Sequence, residues 1–378
     1  MFRRIVPVAG GLALVVLTVG GAQAASAAGS PQAAPGVVKT ATVYAVNQGA
    51  NTVTPINSVT WKPGKAIKVG NSPGPLVITP NGATAYVVNE GSGTVTPIRT
   101  ATNKPGTAIP VGSFPFGVAI TPNGNTVYVA NIDSGSVTPI HTATNKAGTP
   151  ILTGAGPRAV VVSPNGKTAY VAVNGDGEVA VISTKTNKVV KMIKVGSVTS
   201  APWAIAITPN GKTVYVVNEG AGTVVPIRTA TNKVVKAIKV GKNPQAIAIT
   251  PNGNTAYVVN DNSNTVTPIR TATNTAGKPI TVGLFPMTVA ITPNGRTAYV
   301  ANYSSGTVTP ISTATNKAGA PIMAAPGASA IVFTANGNTA FVADHQLTGT
   351  VTPIRVVKGK PGKEIKVGQY PSNLAITP

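Results

Sequence analysis

The sequence predicts an all-β fold: a β-propeller of four-stranded antiparallel blades, written as eight repeats. Three observations carry this. A Pro-Asn-Gly turn or its equivalent recurs with Asn at 81, 123, 165, 210, 252, 294 and 336, at spacings of 42, 42, 45, 42, 42 and 42 residues. Each interval holds four short runs of strand character, the pattern of a propeller blade. The apolar residues, 42% of a 378-residue chain with only 4% aromatics, are mostly Val, Ile and Ala beside abundant Thr, which favours many short strands over long helices. The single longer interval is read as extra residues around Val173 and from Ser197 to Pro202.

In chain order, Arg3 and Arg4 precede an apolar run over residues 5–19. Two small-x-small sites follow, Ala22-Gln23-Ala24 and Ala25-Ser26-Ala27. This pattern predicts a signal peptide over 1–27, then an Ala/Gly/Pro/Ser-rich flexible linker over 28–37 and the propeller over 38–378. After cleavage no transmembrane span is expected. The expected location is secreted and extracellular, with association to the cell wall.

Within a unit, strand A is the apolar run before the turn, as in Val118-Ala119-Ile120-Thr121. Asn-Gly then signals a hairpin, because both residues tolerate positive φ. Strand B follows, as in Tyr86-Val87-Val88-Asn89, and strand C is Thr94-Val95-Thr96-Pro97-Ile98 and its copies. Its proline removes a ladder donor, which suits a bulge or an unpaired position. Strand D is shorter, as in Ala237-Ile238-Lys239-Val240. Strands A and B each occur eight times, but the chain starts with B and ends with a lone A, Leu374-Ala375-Ile376-Thr377. The C-terminal strand is therefore expected to join the N-terminal blade and close the ring without an open edge.

Three motifs repeat in register: Tyr-Val-x-Asn in strand B, Ala-Ile-Thr-Pro-Asn-Gly at the A–B turn, and Thr-Ala-Thr-Asn-Lys after strand C. On these the chain resembles the YVTN-family β-propeller repeats of secreted and surface-layer-type proteins. The resemblance covers residues 38–378 and departs from the pattern at Thr334-Ala335-Asn336 and Phe341-Val342-Ala343-Asp344. It implies a propeller and an extracytoplasmic setting, and no single activity.

Charge is strongly biased, with 30 Lys+Arg against 8 Asp+Glu and a net charge of +22. Antiparallel A–B–C–D order puts the A–B and C–D loops on one face and the B–C and D–A loops on the other. Basic residues recur on the first face: Arg99, Lys104, Lys146, Lys188, Arg228, Lys233, Arg270, Lys317 and Arg355 around the end of strand C, and Lys212 and Arg296 in the A–B turn. They are the candidate polyanion-binding set, because such a field attracts anionic polymers and weakens with salt. Arg158 and Lys242, in D–A loops, are exceptions.

The second face is expected to carry a groove near the central channel. Its candidates are Glu90, Asp133, Asp176, Glu219 and Asp261 from B–C loops and Phe114, Phe116, Trp203, Phe285 and Tyr370 from D–A loops. Asp344 is placed with the B–C carboxylates, and Tyr303 in a B–C loop. The Asn that ends strand B at 47, 89, 131, 174, 218, 260 and 302 recurs too often for a unique site, and is expected to brace the B–C turn.

With no cysteine and only His141 and His345, thiol catalysis, cysteine-ligated zinc and a His-rich metal centre are excluded. No catalytic residue, metal or cofactor is expected. The functional expectation is a non-catalytic secreted or cell-wall-associated binding scaffold, for an anionic cell-envelope polymer or a protein partner. Sequence-specific nucleic acid is not expected, because no alternating aromatic and basic residues are present to stack bases. The alternative is a propeller enzyme or enzyme-associated subunit with a site near the channel.

Overall fold

A computed structural model describes residues 40–378; the signal peptide and linker expected over 1–37 lie outside them. The chain forms eight antiparallel blades. Blade 1 takes strands B (Thr42–Asn47), C (Thr52–Asn57) and D (Ile67–Lys68) from the N-terminal end and strand A (Pro371–Ile376) from the C-terminal end. Blades 2 to 8 follow in order, and their innermost A strands are Pro73–Ile78, Pro115–Ile120, Pro157–Val162, Pro202–Ile207, Pro244–Ile249, Pro286–Ile291 and Ala328–Phe333. Each A strand contacts the next, and Pro371–Ile376 touches both Pro73–Ile78 and Ala328–Phe333, so the ring is closed. Among the described residues no helix is long and apolar enough to cross a membrane.

The middle of strand B, between its first Thr and its last residue, is apolar because both faces of each blade are covered. Tyr44 and Val46 pack toward blade 2, with Leu76, Val87 and Ile98. Val43 and Ala45 point the other way, onto Phe341, Ala343 and Val351 of blade 8. This is the two-residue alternation of a strand, used twice. Eight such clusters occur, one per seam, so no blade is left with a bare face.

The repeated motifs meet across these seams. The strand B tyrosine donates its hydroxyl hydrogen to the Asn of the next blade's C–D turn: Tyr44 to Asn103 at 2.6 Å, Tyr86 to Asn145 at 2.7 Å, Tyr128 to Asn187 at 2.6 Å, Tyr215 to Asn274 at 2.6 Å and Tyr257 to Asn316 at 2.6 Å. Tyr170 makes the same bond to Asn232 at 3.3 Å. Each acceptor Asn has φ between 52° and 55°, a left-handed conformation that Asn tolerates better than most residues. The last two seams depart together with the sequence. Phe341, which has no hydroxyl, shares a cluster with Trp61, which stands at the Asn position of blade 1. Gly359 stands there in blade 8, and Tyr299 packs on Phe333 with ring centroids 5.4 Å apart.

Proline in strand C acts as expected, and blade 4 is the natural control. In blades 2, 3 and 5 to 8, strand D is split into two dipeptides that pair with the two ends of strand C, as Lys233–Val234 and Ile238–Lys239 do with Thr223–Arg228. Between them the chain bulges at the proline, which lacks a donor. Blade 4 has Val181 in that place, and its strand D runs unbroken as Lys188–Lys194, with Lys191 opposite Val181.

Three expectations are corrected. In the Pro-Asn-Gly turns only the glycine has positive φ, as at Gly82 (73°). The Asn serves through its side chain, Asn81 Oδ1 accepting from Thr79 Oγ1 and from the Ala83 amide. The extra residues of the 45-residue interval all fall in the D–A loop of blade 5, which holds a short 3-10 turn, Val198–Ser200. None is needed near Val173, because the B–C hairpin of blade 4 keeps the usual register, Val173 pairing with Glu178. Asn174 therefore lies one residue past the bracing position, and its amide donates to the Pro202 carbonyl.

The seam bond gives a test. Tyr86→Phe removes a buried hydroxyl that has a partner and should cost about 1 kcal/mol in chemical unfolding. Tyr299→Phe removes one without an Asn partner and should cost less than half of that. Equal losses would show that the Tyr–Asn bond contributes nothing specific.

Candidate functional site

Comparing the eight blades separates scaffold from site. The D–A loop ends in a residue with positive φ, and its carbonyl accepts a hydrogen bond from the first residue after strand B. This bond occurs in every blade: Gln48 to Tyr370, Glu90 to Ser72, Ile132 to Phe114, Asn174 to Gly156, Glu219 to Ala201, Asp261 to Asn243, Tyr303 to Phe285 and His345 to Gly327. The backbone is constant while both side chains change from blade to blade. The second residue of strand A varies as widely: Gly74, Phe116, Arg158, Trp203, Gln245, Met287, Ser329 and Ser372. These variable positions form three rings on the B–C and D–A face, around the end of the channel. Elsewhere the blades are near copies, apart from strand D of blade 4 and the last two seams.

The first ring carries strain. Phe114, Phe285 and Tyr370 have φ of 50°, 54° and 51°, a region that bulky residues rarely occupy. Such outliers persist where the surroundings over-determine them, and they cluster at functional sites. Here the surroundings are explicit: besides the ring bond, the Phe285 amide donates to Asn264 Oδ1 at 2.8 Å.

On blades 2 to 6 the rings bring together an arginine, two aromatics and three carboxylates. The Arg158 guanidinium lies 3.2 Å from the Trp203 ring centroid and 4.2 Å from that of Phe116. Burial pushes its pKa down to about 10, opposed by Glu219 and then Glu90. Glu90 is 6% exposed, and burial pushes its carboxyl up to about 8 against the pull of Arg158. Glu219 is raised by burial, an effect that Arg158 opposes and Asp261 reinforces. Asp261 Oδ2 accepts from Gln245 Nε2 at 2.7 Å and from Asn243 Nδ2 at 3.2 Å.

Across the channel, blades 7, 8 and 1 supply an aromatic arc. Phe285, Tyr303, His345 and Tyr370 follow one another at centroid distances of 6.1, 6.3 and 5.2 Å. Burial lowers the His345 pKa, favouring the uncharged ring. Several buried polar atoms of the mouth have no hydrogen-bond partner, among them Glu90 Oε1, Arg158 Nε, Trp203 Nε1, Asp261 Oδ1, His345 Nδ1 and Ser372 Oγ. Among the described residues no three His, Asp or Glu side chains converge closely enough to hold a metal ion.

Of the groove residues expected from sequence, Glu90, Phe116, Trp203, Glu219 and Asp261 meet around Arg158. Phe116 and Trp203 sit in strand A, not in D–A loops. Phe114, Phe285 and Tyr370 are loop residues, about two-fifths exposed. Asp133 is exposed and makes none of these contacts, and Asp176 accepts from the Ala155 amide at 2.8 Å. Asp344 is the last residue of strand B and replaces the bracing Asn, accepting from Thr350 and Thr352; burial raises its pKa to about 7. Arg158, Gln245 and His345 were not assigned to the groove. Variation among otherwise identical repeats would have found them.

The eleven candidate cations, Arg99, Lys104, Lys146, Lys188, Lys212, Arg228, Lys233, Arg270, Arg296, Lys317 and Arg355, are all exposed. Four of the arginines end strand C, at 99, 228, 270 and 355; the lysines at 104, 146, 188, 233 and 317 open strand D, one step beyond the C–D loop. Both sets lie at the end of the blades opposite the mouth.

A family model described as Lactonase, 7-bladed beta-propeller, matches residues 142–278 and 228–325, less than half of the chain. This ring has eight blades. No curated protein sequence matches. Among solved structures the chain is similar to Kuenenia stuttgartiensis hydrazine synthase, at 26% identity over 72% of this chain and 92% of that one, with a TM-score of 0.61. It is also similar to the dihydro-heme d1 dehydrogenase NirN in complex with DHE, at 16% identity over 88% and 75% with a TM-score of 0.76. Apo AztD from Citrobacter koseri aligns at 13% identity over 89% and 97%, with a TM-score of 0.69. The last two likenesses are of fold alone.

Burial of Glu90 sets a pH dependence. Its folded pKa is above the unfolded value, so its contribution is full below about 4.5 and is lost as pH rises toward about 8, at up to about 1.4 kcal/mol per pH unit. Glu90→Gln should therefore gain stability relative to wild type between pH 5 and 8.5 in urea unfolding. Parallel curves would mean that Glu90 titrates as an ordinary carboxylate.

Proposed function

We propose that the protein is an exported, YVTN-type propeller that acts as a binding scaffold, held on an anionic cell-envelope polymer by its turn face. The observation that carries this reading is the register of the exposed cations. They recur at the end of strand C and the start of strand D, blade after blade, while the carboxylates of the mouth stand at the other end. An array spread around a ring suits a repeating polyanion better than a single small ligand, because each added contact is intramolecular once the first has formed. Attraction of this kind falls with ionic strength, as the Debye length is about 8 Å at physiological salt.

The test is retention on purified anionic wall polymer or heparin. Replacing Lys104, Lys146, Lys233 and Lys317 together by Ser should shift elution to clearly lower salt with the unfolding midpoint unchanged. Unchanged elution would overturn the basic-face reading.

A second reading, a catalytic site at the channel mouth, is supported by the lactonase family match, which contains Arg158, Trp203, Glu219 and Asp261, and by the raised pKa of Glu90, an acid placed to titrate near neutrality. It predicts turnover of simple lactones that Asp261→Asn lowers at least tenfold without unfolding the protein. Lactone hydrolysis no faster than in buffer would remove this reading.

A further inference from the structure

The mouth contains matched donors and acceptors that the protein itself leaves unused. The Arg158 guanidinium lies over two aromatic rings, 3.2 Å from the Trp203 centroid and 4.2 Å from that of Phe116. What remains is its edge, a planar row of N–H donors, and the buried Nε has no acceptor. Arginine held flat in this way is preorganised for a planar acceptor such as a carboxylate. Glu90 adds to the donor side. Raised to about 8 by burial, its carboxyl is largely the neutral acid at pH 7, with an O–H to give and no charge to neutralise the arginine.

The acceptor side is on blades 5 and 6. Glu219 and Asp261 act on each other as like charges. Asp261, only 2% exposed, is held by two uncharged amides, from Asn243 and Gln245 on Oδ2, while Oδ1 has no partner. Arg158 acts on Glu219 but not on Asp261, so Asp261, almost fully buried, has no cation of its own and is relieved by an ammonium group. A buried polar atom left unpaired costs about 1–3 kcal/mol, so several of them at one end of the channel fit a site that completes its bonding with a ligand.

We propose that this mouth binds a small zwitterion, a free amino acid or short peptide, with its carboxylate on the Arg158 edge beside Glu90 and its ammonium between Glu219 and Asp261. The inference concerns the end of the ring opposite the basic face and does not rest on polymer binding. An isolated anion suits the site less well, because the Glu219 carboxylate already lies beside the arginine. An isolated amine leaves the arginine edge empty.

Calorimetry on the full chain tests this with four probes: alanine and dialanine as zwitterions, N-acetylalanine as the carboxylate alone, and alanine methyl ester as the amine alone. At least one zwitterion should bind ten times more tightly than either blocked form. Arg158→Lys, which keeps the charge but loses the planar fork, should weaken the zwitterion at least tenfold, and Asp261→Asn should weaken the zwitterion and the ester but not N-acetylalanine. No binding of either zwitterion at millimolar concentration, or equal binding of free and blocked forms, would overturn the proposal. Retention on polymer is read without amino acid and the calorimetry without polymer, so the two readings fail separately.

Discussion

The hydrogen bond from a strand B tyrosine to the next blade's turn asparagine is the contact on which the ring depends. A propeller blade has no long-range partner except its two neighbours, so its order has to be transmitted across seams. Apolar burial alone holds a seam together but does not fix how far one blade slides against the next. The Tyr–Asn bond does, because it joins the buried middle of one sheet to a single residue in a tight turn of another. That accounts for the recurrence of both motifs at the same spacing. It also explains the joint loss of both partners where Phe341 meets Trp61, and the Phe333 ring set edge-to-face with Tyr299 where the turn residue is Gly359. Where the polar latch is missing, packing of aromatic rings replaces it.

A scaffold locked in this way can tolerate variation elsewhere. The eight backbone bonds between strand B ends and D–A loops hold the mouth in one geometry whatever side chains it carries. Selection can then place an arginine in blade 4, a tryptophan in blade 5 and a histidine in blade 8 without refolding the ring. The same rigidity allows Phe114, Phe285 and Tyr370 to occupy a backbone conformation that would be costly in a free loop.

The fold was legible because its signals are repeated. Strand order, the hairpin turn and the closing role of Leu374 and its neighbours all follow from periodicity. The break in strand D was not foreseen, although the strand C proline opposite it, which lacks a ladder donor, can be read directly. The site was half legible. Glu90, Trp203 and Asp261 were found through charge and aromatic scarcity, but Arg158 looked like a misplaced member of the basic set. Its role depends on Phe116 and Trp203 of the blades on either side, 42 residues before it and 45 after it along the chain, and no local pattern conveys that. Asp344 was misplaced for a related reason. One substitution of Asp for Asn in a repeat resembles a loop carboxylate until strand register shows that it faces Thr350 and Thr352.

The two ends of the ring are then under different physical demands. The turn face sits in water, where its exposed cations cost little and each alone contributes little. Its effect is collective, long in range and sensitive to salt. The mouth withdraws a few charges from water, where each is expensive unless paired and where geometry, not number, decides what binds. A basic body also raises the local concentration of anions around the molecule. On the proposed zwitterion reading, discrimination at the mouth comes from its carboxylates, which repel a simple anion and favour one that brings a cation of its own.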